Sequence, residues 1–373
     1  KIQKKTKTNK KEKTNQKMGC CASDVQKGLG TTEVPDKVVT NEDYDRNENQ
    51  QQLGRNMNVH HQNNEDFTDL KPTDDHQNTK ENTSTAINMH KPNSKFAEPI
   101  DHEPDYTNNA TKYTLEKLGP FVYDAHQYSD DEAVLLPPYQ LENGSVYIGQ
   151  WKNGMRHGRG KQLWKDGSVY EGYWKNNMAH GKGRLIHSDA DVYEGEWQKD
   201  KADGFGTYTH ADGAKYIGRW VDDKQEGQGI EIWPDGAKYE GQYVQGKKQG
   251  KGKFFWTDGS QYEGEFQNNN IHGYGTYTWA DGRNFKGEWK NNKMDGEGEF
   301  RWPDERRYIG HYVEDKKHGY GEFEWPDGRK YKGQWQNGKQ HGEGIYINAQ
   351  GKQKTGEWAD GKRIRWINEE EDQ

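Results

Sequence analysis

The residues best placed to carry chemistry lie near one end of the chain. Met18-Gly19-Cys20-Cys21-Ala22-Ser23 fits Met-Gly-x-x-x-Ser, the pattern for N-myristoylation, with Gly19 as the acylated amine once Met18 is removed. Cys20 and Cys21, the chain's two cysteines, then become candidates for S-palmitoylation. A single myristoyl chain binds a membrane only marginally, with an association constant of ~10⁴ M⁻¹, and a second acyl chain makes the attachment stable. Adjacent cysteines build no disulfide framework, which points to a reducing compartment. Acylation requires an exposed Gly19. Residues 1–17, a lysine-rich run, are therefore expected to be a gene-model extension upstream of Met18. A ciliate reading frame, in which UAA and UAG can encode Gln, would leave such an extension open. Their other reading is a basic tail that attracts anionic lipid.

Other candidates weigh less. His157, His180, His272, His318 and His341 recur at one position, but whole repeats separate them. Adjacent repeats would hold them ~9.6 Å apart, too far to share an ion, so no metal is expected and a role in turn packing is. Basic clusters at Lys247-Lys248, Arg306-Arg307 and Lys316-Lys317 are weak candidates for lipid headgroups. Elsewhere no phosphate loop, kinase signature or gathered acid–base pair is found, so neither catalysis nor a cofactor is expected. A formal net charge of -7 argues against nucleic acid as a partner. No apolar run reaches the ~18 residues of a membrane-spanning helix.

The elements that would position these residues follow from a fixed period. Tyr-x-Gly or a close variant starts at Tyr147, Tyr170, Tyr193, Tyr216, Tyr239, Tyr262, Phe285, Tyr308 and Tyr331, always 23 residues apart. In the unit at Tyr262, apolar and polar residues alternate from Tyr262 to Phe266 and again from Gly273 to Trp279. That alternation marks strands with one packed face. The Asn-rich stretch between them and Asp281-Gly282 after them supply tight turns. One unit is thus one β-hairpin. The predicted fold is all-β: an elongated single-layer antiparallel sheet of tandem 23-residue hairpins, preceded by a long disordered N-terminal region.

The fifth position of every unit is aromatic: Trp151, Trp174, Trp197, Trp220, Tyr243, Phe266, Trp289, Tyr312, Trp335 and Trp358. This column is expected to be the core, with the paired glycines making room for rings. A second column holds Trp164, Trp233, Trp256, Trp279, Trp302 and Trp325. A one-layer sheet cannot bury both faces, so these six are the candidates for partner contact. Half-units close the ends. Tyr139 and Leu141 stand before Asn143-Gly144, and Ile364 to Ile367 form a closing strand.

Tyr193-Glu-Gly-Glu-Trp197, with His-Gly-x-Gly and Trp-x-Asp-Gly in the pattern, resembles the MORN (membrane occupation and recognition nexus) repeat over about 137–367. The resemblance implies a β-hairpin array that scaffolds, dimerises or apposes membranes, and it implies no catalysis. Some units depart from the pattern. Ala190 and Glu305 replace the turn glycine. Asp203, Glu226, Gln249 and Asp295 replace the recurrent histidine, and His187, His210 and Asn348 replace the second-column Trp.

The organisation read from composition places a disordered acylated tether at 18–118, a docking segment at 119–136, the array at 137–367 and an acidic tail at 368–373. The function expected is a non-catalytic scaffold on the cytoplasmic face of the plasma membrane or in the cell cortex. It would hold a protein partner, or a second copy of itself, against the membrane. The alternatives are a structural part of the axoneme or cilium, resembling radial-spoke head proteins, and the regulatory arm of a lipid kinase supplied by another chain.

Overall fold

The structure, a computed structural model, describes residues 89–124 and 132–367. They form one open antiparallel sheet of 23 strands, with a helix laid against it. Units one to nine start at Tyr147 and follow the 23-residue period. Each is one hairpin, such as Gln261–Gln267 and Asn270–Thr278 in unit six. The second strand of one unit pairs with the first strand of the next, as in Gly275 opposite Gly287. The single-layer hairpin array read from the sequence is the fold observed.

Turn chemistry fixes the register. Within the hairpins, Asn177, Asp200, Asp223, Asn269, Asn292 and Asp315 take φ between 64° and 69°, a region that Asn and Asp tolerate better than other side chains. Each also uses its side chain. Asn269 Oδ1 accepts the Lys248 N–H at 2.8 Å, and Asp315 Oδ1 accepts that of Met294 at 2.7 Å. Each turn thereby ties its unit to the one before. Between hairpins, Ala190 (φ 75°) and Glu305 (φ 70°) hold the left-handed conformation that glycine holds in the other units.

The sheet is closed at its start by β1 (Ala97–Pro99), β2 (Val134–Leu135) and β3 (Tyr139–Leu141). Strands β2 and β3 divide one edge of the first strand of unit one, and β1 pairs with β3. Tyr139 packs on Trp151 with ring centroids 5.3 Å apart. At the far end the strand Lys362–Ile367 pairs with Gln353–Ala359 and sets Trp366 against Trp358.

One expectation is corrected. The tether read as disordered to residue 118 contains β1 and the helix α1 (Asn109–Leu118). Composition hid them because the segment is stabilised by a few well-placed groups. Asn108 caps α1, its Oδ1 accepting from the N–H groups of Ala110 and Thr111 at 2.8 and 3.0 Å. The Thr111 hydroxyl accepts the Asn108 N–H in return. Ile100, Tyr106 and Leu115 pack on Val146, Leu163 and Val169 of the array.

Candidate functional site

The two faces of the sheet are built differently. On the aromatic face the first Tyr of each unit lies over a pair of facing glycines. A Cβ on Gly172 would fall 2.6 Å from Tyr170 Oη and 2.6 Å from the Gly183 Cα. The glycine row therefore makes room for the first-position ring. The preceding glycine of each Gly-x-Gly is instead a backbone device, as Gly273 with φ 65° shows. The fifth-position column is buried throughout, with Trp358 the most exposed at 6%. Its rings meet the first-position rings edge to face, as Tyr262 meets Phe266 at 5.3 Å. Several of its indoles donate to glycine carbonyls, such as Trp174 Nε1 to Gly160 O at 3.2 Å and Trp220 Nε1 to Gly206 O at 3.3 Å.

The second-column Trp residues border this packing. Trp279 is buried, and Trp164, Trp233, Trp256, Trp302 and Trp325 are half-buried against the core. Trp256 sits 4.4 Å from the Phe254 ring and 5.1 Å from that of Tyr277. They interlock with the core rather than line a free strip.

A column that sequence reasoning passed over lies between these two. The tenth position of each unit faces the fifth across the hairpin, and it holds Arg156, Ala179, Ala202, Gln225, Lys248, Ile271, Met294, Lys317 and Gln340. This corrects the headgroup candidates. Lys248 is 1% exposed and Lys317 is 7% exposed, so neither can reach a lipid surface. Arg307 pairs with Glu299 and Arg306 with Asp304, and Lys247 and Lys316 are exposed. The alternating strand turns Lys247 and Lys316 outward and drives their neighbours into the aromatic face.

The two buried lysines differ in their partners. Lys248 Nζ lies 2.8 Å from the Glu231 carboxylate, which also accepts the Tyr243 phenol at 2.9 Å. Glu231 belongs to unit four, and the residue of unit seven that corresponds to it beside Lys317 is Phe300, opposite Tyr308 as Glu231 is opposite Tyr239. Lys317 Nζ sits 4.9 to 5.1 Å from the ring centroids of Trp302, Tyr308, Phe323 and Trp335. Among the described residues no carboxylate pairs with it, and the Tyr312 phenol is buried without a partner. Burial, with the Arg306 charge second, lowers the Lys317 amine to about 7.

The recurrent histidine position has a plain task. The N–H of the following turn is accepted by His157 Nδ1 at 3.5 Å, Glu226 at 2.9 Å, Gln249 at 3.1 Å and Asp295 at 3.2 Å. The substitutions that looked like departures all keep an acceptor. Among the described residues no cluster of His, Cys, Asp and Glu could hold a metal ion. Gly19, Cys20 and Cys21 lie outside the described residues.

The outer face changes character along the array. Over units one and two it is covered by residues 100–124. Val146, Leu163 and Val169 are at most 2% exposed there. Lys161 pairs with Glu103 at 2.8 Å, and Arg184 donates to the Gly119 carbonyl at 2.7 Å. Tyr123 stands over the glycine floor. Its phenol donates to Gly160 O at 3.2 Å, its ring meets that of Tyr173 at 5.5 Å, and the Arg159 guanidinium lies 5.7 Å from its centroid. Beyond unit two the same face is an open groove, bordered by Phe205, Ile217, Ile230 and Tyr274 and floored by Gly218, Gly229, Gly241 and Gly252. Phe205 and Tyr274 are 61% and 53% exposed. A signal for the cover was present. The residue before each first Tyr is Val146, Val169 and Val192 in units one to three, then Lys215, Lys238 and Gln261.

The MORN-repeat family model matches nine successive stretches, from 147–169 to 331–353, over half of the chain. The chain belongs to the MORN-repeat proteins, whose defining module is non-enzymatic. None of the curated proteins compared matches it. Among solved structures it is similar to the TCP domain of Drosophila melanogaster SAS-4 in complex with a proline-rich motif of Ana2. There the identity is 11%, over 52% of this chain and 99% of that one, with a TM-score of 0.28. For the wild-type TCP10 domain of Danio rerio CPAP the identity is 15%, over 63% and 98%, with a TM-score of 0.21. At these TM-scores neither likeness carries a functional argument.

Proposed function

We propose that this chain is a non-catalytic scaffold, held to a membrane by acyl chains on Gly19, Cys20 and Cys21, that presents the outer face of its array to a protein partner. The observation that carries the reading is the contrast between the faces. The aromatic face is filled by its own rings, whereas the outer face is covered over units one and two and open from unit three, with Phe205 61% exposed. Large exposed apolar groups beside a groove mark interaction surfaces. The cytoplasmic leaflet of the plasma membrane or cell cortex suits the anchor, and self-association is a form the same scaffold can take.

The test is metabolic labelling with a myristate analogue in cells that express the full chain, followed by membrane fractionation in detergent. The reading expects label on Gly19, a detergent-soluble membrane fraction, and loss of both in Gly19→Ala. A chain without label that stays in a detergent-resistant pellet would put the axonemal reading first. Co-purification with a lipid kinase whose activity depends on the array would favour the regulatory-arm reading.

A further inference from the structure

The inference rests on the protein-binding reading and names what the open groove takes. The chain already shows how one junction of the array holds an extended segment. At the junction of units one and two, Arg159 faces Tyr173 and Gly160 faces Gly172 across neighbouring strands. Tyr123 occupies this junction from the outer side. It donates to the Gly160 carbonyl, which takes the Trp174 indole from the aromatic face. The backbone after it is held too, because the Asp124 carbonyl accepts from Tyr173 Oη at 2.8 Å and from Arg159 at 3.2 Å. The seat thus consists of a glycine floor, one spare side of a carbonyl, an aromatic wall and an arginine wall.

The same four parts recur two units further on. At the junction of units three and four, Phe205 faces Arg219 and Gly206 faces Gly218. The Gly206 carbonyl takes the Trp220 indole from the aromatic face, as Gly160 takes that of Trp174. The aromatic and the arginine have exchanged strands, and the floor is unchanged. No other junction of the array pairs an aromatic with an arginine. Tyr274 faces Glu288, Tyr320 faces Gln334, and the rest pair polar residues. Phe205 and Arg219 are both exposed, and Ile217 and Ile230 extend the apolar floor beside them.

We propose that Phe205 and Arg219, over the Gly206–Gly218 floor, form a second tyrosine seat, filled by a tyrosine on an extended segment of a partner protein. The phenol donates to Gly206 O, the ring packs on Phe205, and the Arg219 guanidinium lies over it. The groove that Phe205 borders runs on over units four to six, so a partner strand can lie along it beyond the seat. Selectivity for tyrosine comes from the carbonyl at the floor, because a phenylalanine in the seat would leave that hydrogen bond unmade.

The test uses the full chain and, as probe, a fluorescent peptide with the sequence Leu118 to Asp124, followed by anisotropy. Saturable binding is expected. It should weaken about tenfold or more in Phe205→Ala and in Arg219→Ala, as for a buried aromatic or arginine anchor. Arg219→Lys should weaken it too, because the planar stack is lost. A peptide with Phe in place of its Tyr should bind several-fold more weakly. Both replaced side chains are exposed, and an unchanged thermal midpoint identifies a variant that is still folded. The proposal is overturned if no saturable binding occurs up to about 1 mM peptide, or if both variants bind like the parent. It is also overturned if Arg159→Ala abolishes binding while Phe205→Ala does not, because the peptide would then only exchange with the resident segment. Membrane attachment through Gly19 is untouched by these substitutions, so the fractionation result and the peptide result fail independently.

Discussion

Units five and eight place a lysine at the same position of the same frame, and each lysine meets a different environment. Lys248 has a carboxylate, Glu231, and that carboxylate also satisfies a phenol. Lys317 has four rings and, among the described residues, no carboxylate, because Phe300 of unit seven stands where unit four has Glu231. The difference teaches how much of this fold is frame and how much is local chemistry. The hairpin and the bulge are common to both units. What a buried cation costs is decided by one residue in the unit before it. A cation over aromatic rings gains some attraction. Here it does not offset desolvation, as the lowered affinity of Lys317 for its proton indicates.

The largest effect is expected of Glu231→Phe, which turns the paired site into the unpaired one. Removing one partner of a buried pair should cost about 3–5 kcal/mol in urea unfolding, and adding Lys248→Met should recover much of that loss. Next comes Lys317→Met, a residue the frame already accepts at Met294. It should raise stability at pH 7 by about 1–4 kcal/mol.

The third expectation concerns pH. Folded, Lys317 holds its proton only up to about 7, whereas the unfolded chain holds it to the ordinary lysine value. Between those limits the unfolded state binds the extra proton, so stability should rise with pH, by at most about 1.4 kcal/mol per unit. Denaturant midpoints measured from pH 7 to 10 should show that rise in the parent and lack its Lys317 part in Lys317→Met. The smallest effect belongs to Phe300→Glu, which rebuilds the unit-five arrangement. Its net change at pH 7 should stay within about 1 kcal/mol, since desolvation and pairing nearly cancel. The rise between pH 7 and 10 should flatten.

The frame was legible because its signals are local. A 23-residue period, alternation within Tyr262–Phe266, and turn Asn and Gly residues each dictate geometry over a few positions. The aromatic core was legible for the same reason. The tenth-position column was not, because Ala179, Gln225, Lys248 and Met294 share no chemistry. Only the pairing of strands shows that all of them face the fifth position. Lys247 and Lys248 read alike as a basic pair, although alternation alone sends them to opposite faces. The cover on units one and two was hidden because residues 100–124 are polar on average. What holds them is a capping Asn108 and three side chains, Ile100, Tyr106 and Leu115, packed on Val146, Leu163 and Val169. Those valines were visible in the repeat alignment, as apolar residues on a face that later units leave to Lys and Gln. The recurring histidines were read as turn packers, and the hydrogen bond that Asp203, Glu226, Gln249 and Asp295 preserve needed the structure to be seen.

The aromatic face is closed by its own side chains, and on the proposed function the outer face is the one that meets a partner. Lysine acylation of the native full chain, read residue by residue by mass spectrometry, tests that closure most directly. Lys247, Lys251 and Lys316 should react far faster than Lys248 and Lys317. Lys317 is the sharper probe, because the exposed Lys316 next to it in the chain serves as its control. Protection of Lys317 beside a reactive Lys316 is the predicted result. Labelling of Lys317 at the rate of Lys316 would mean that the aromatic face opens in solution, and would contradict the account.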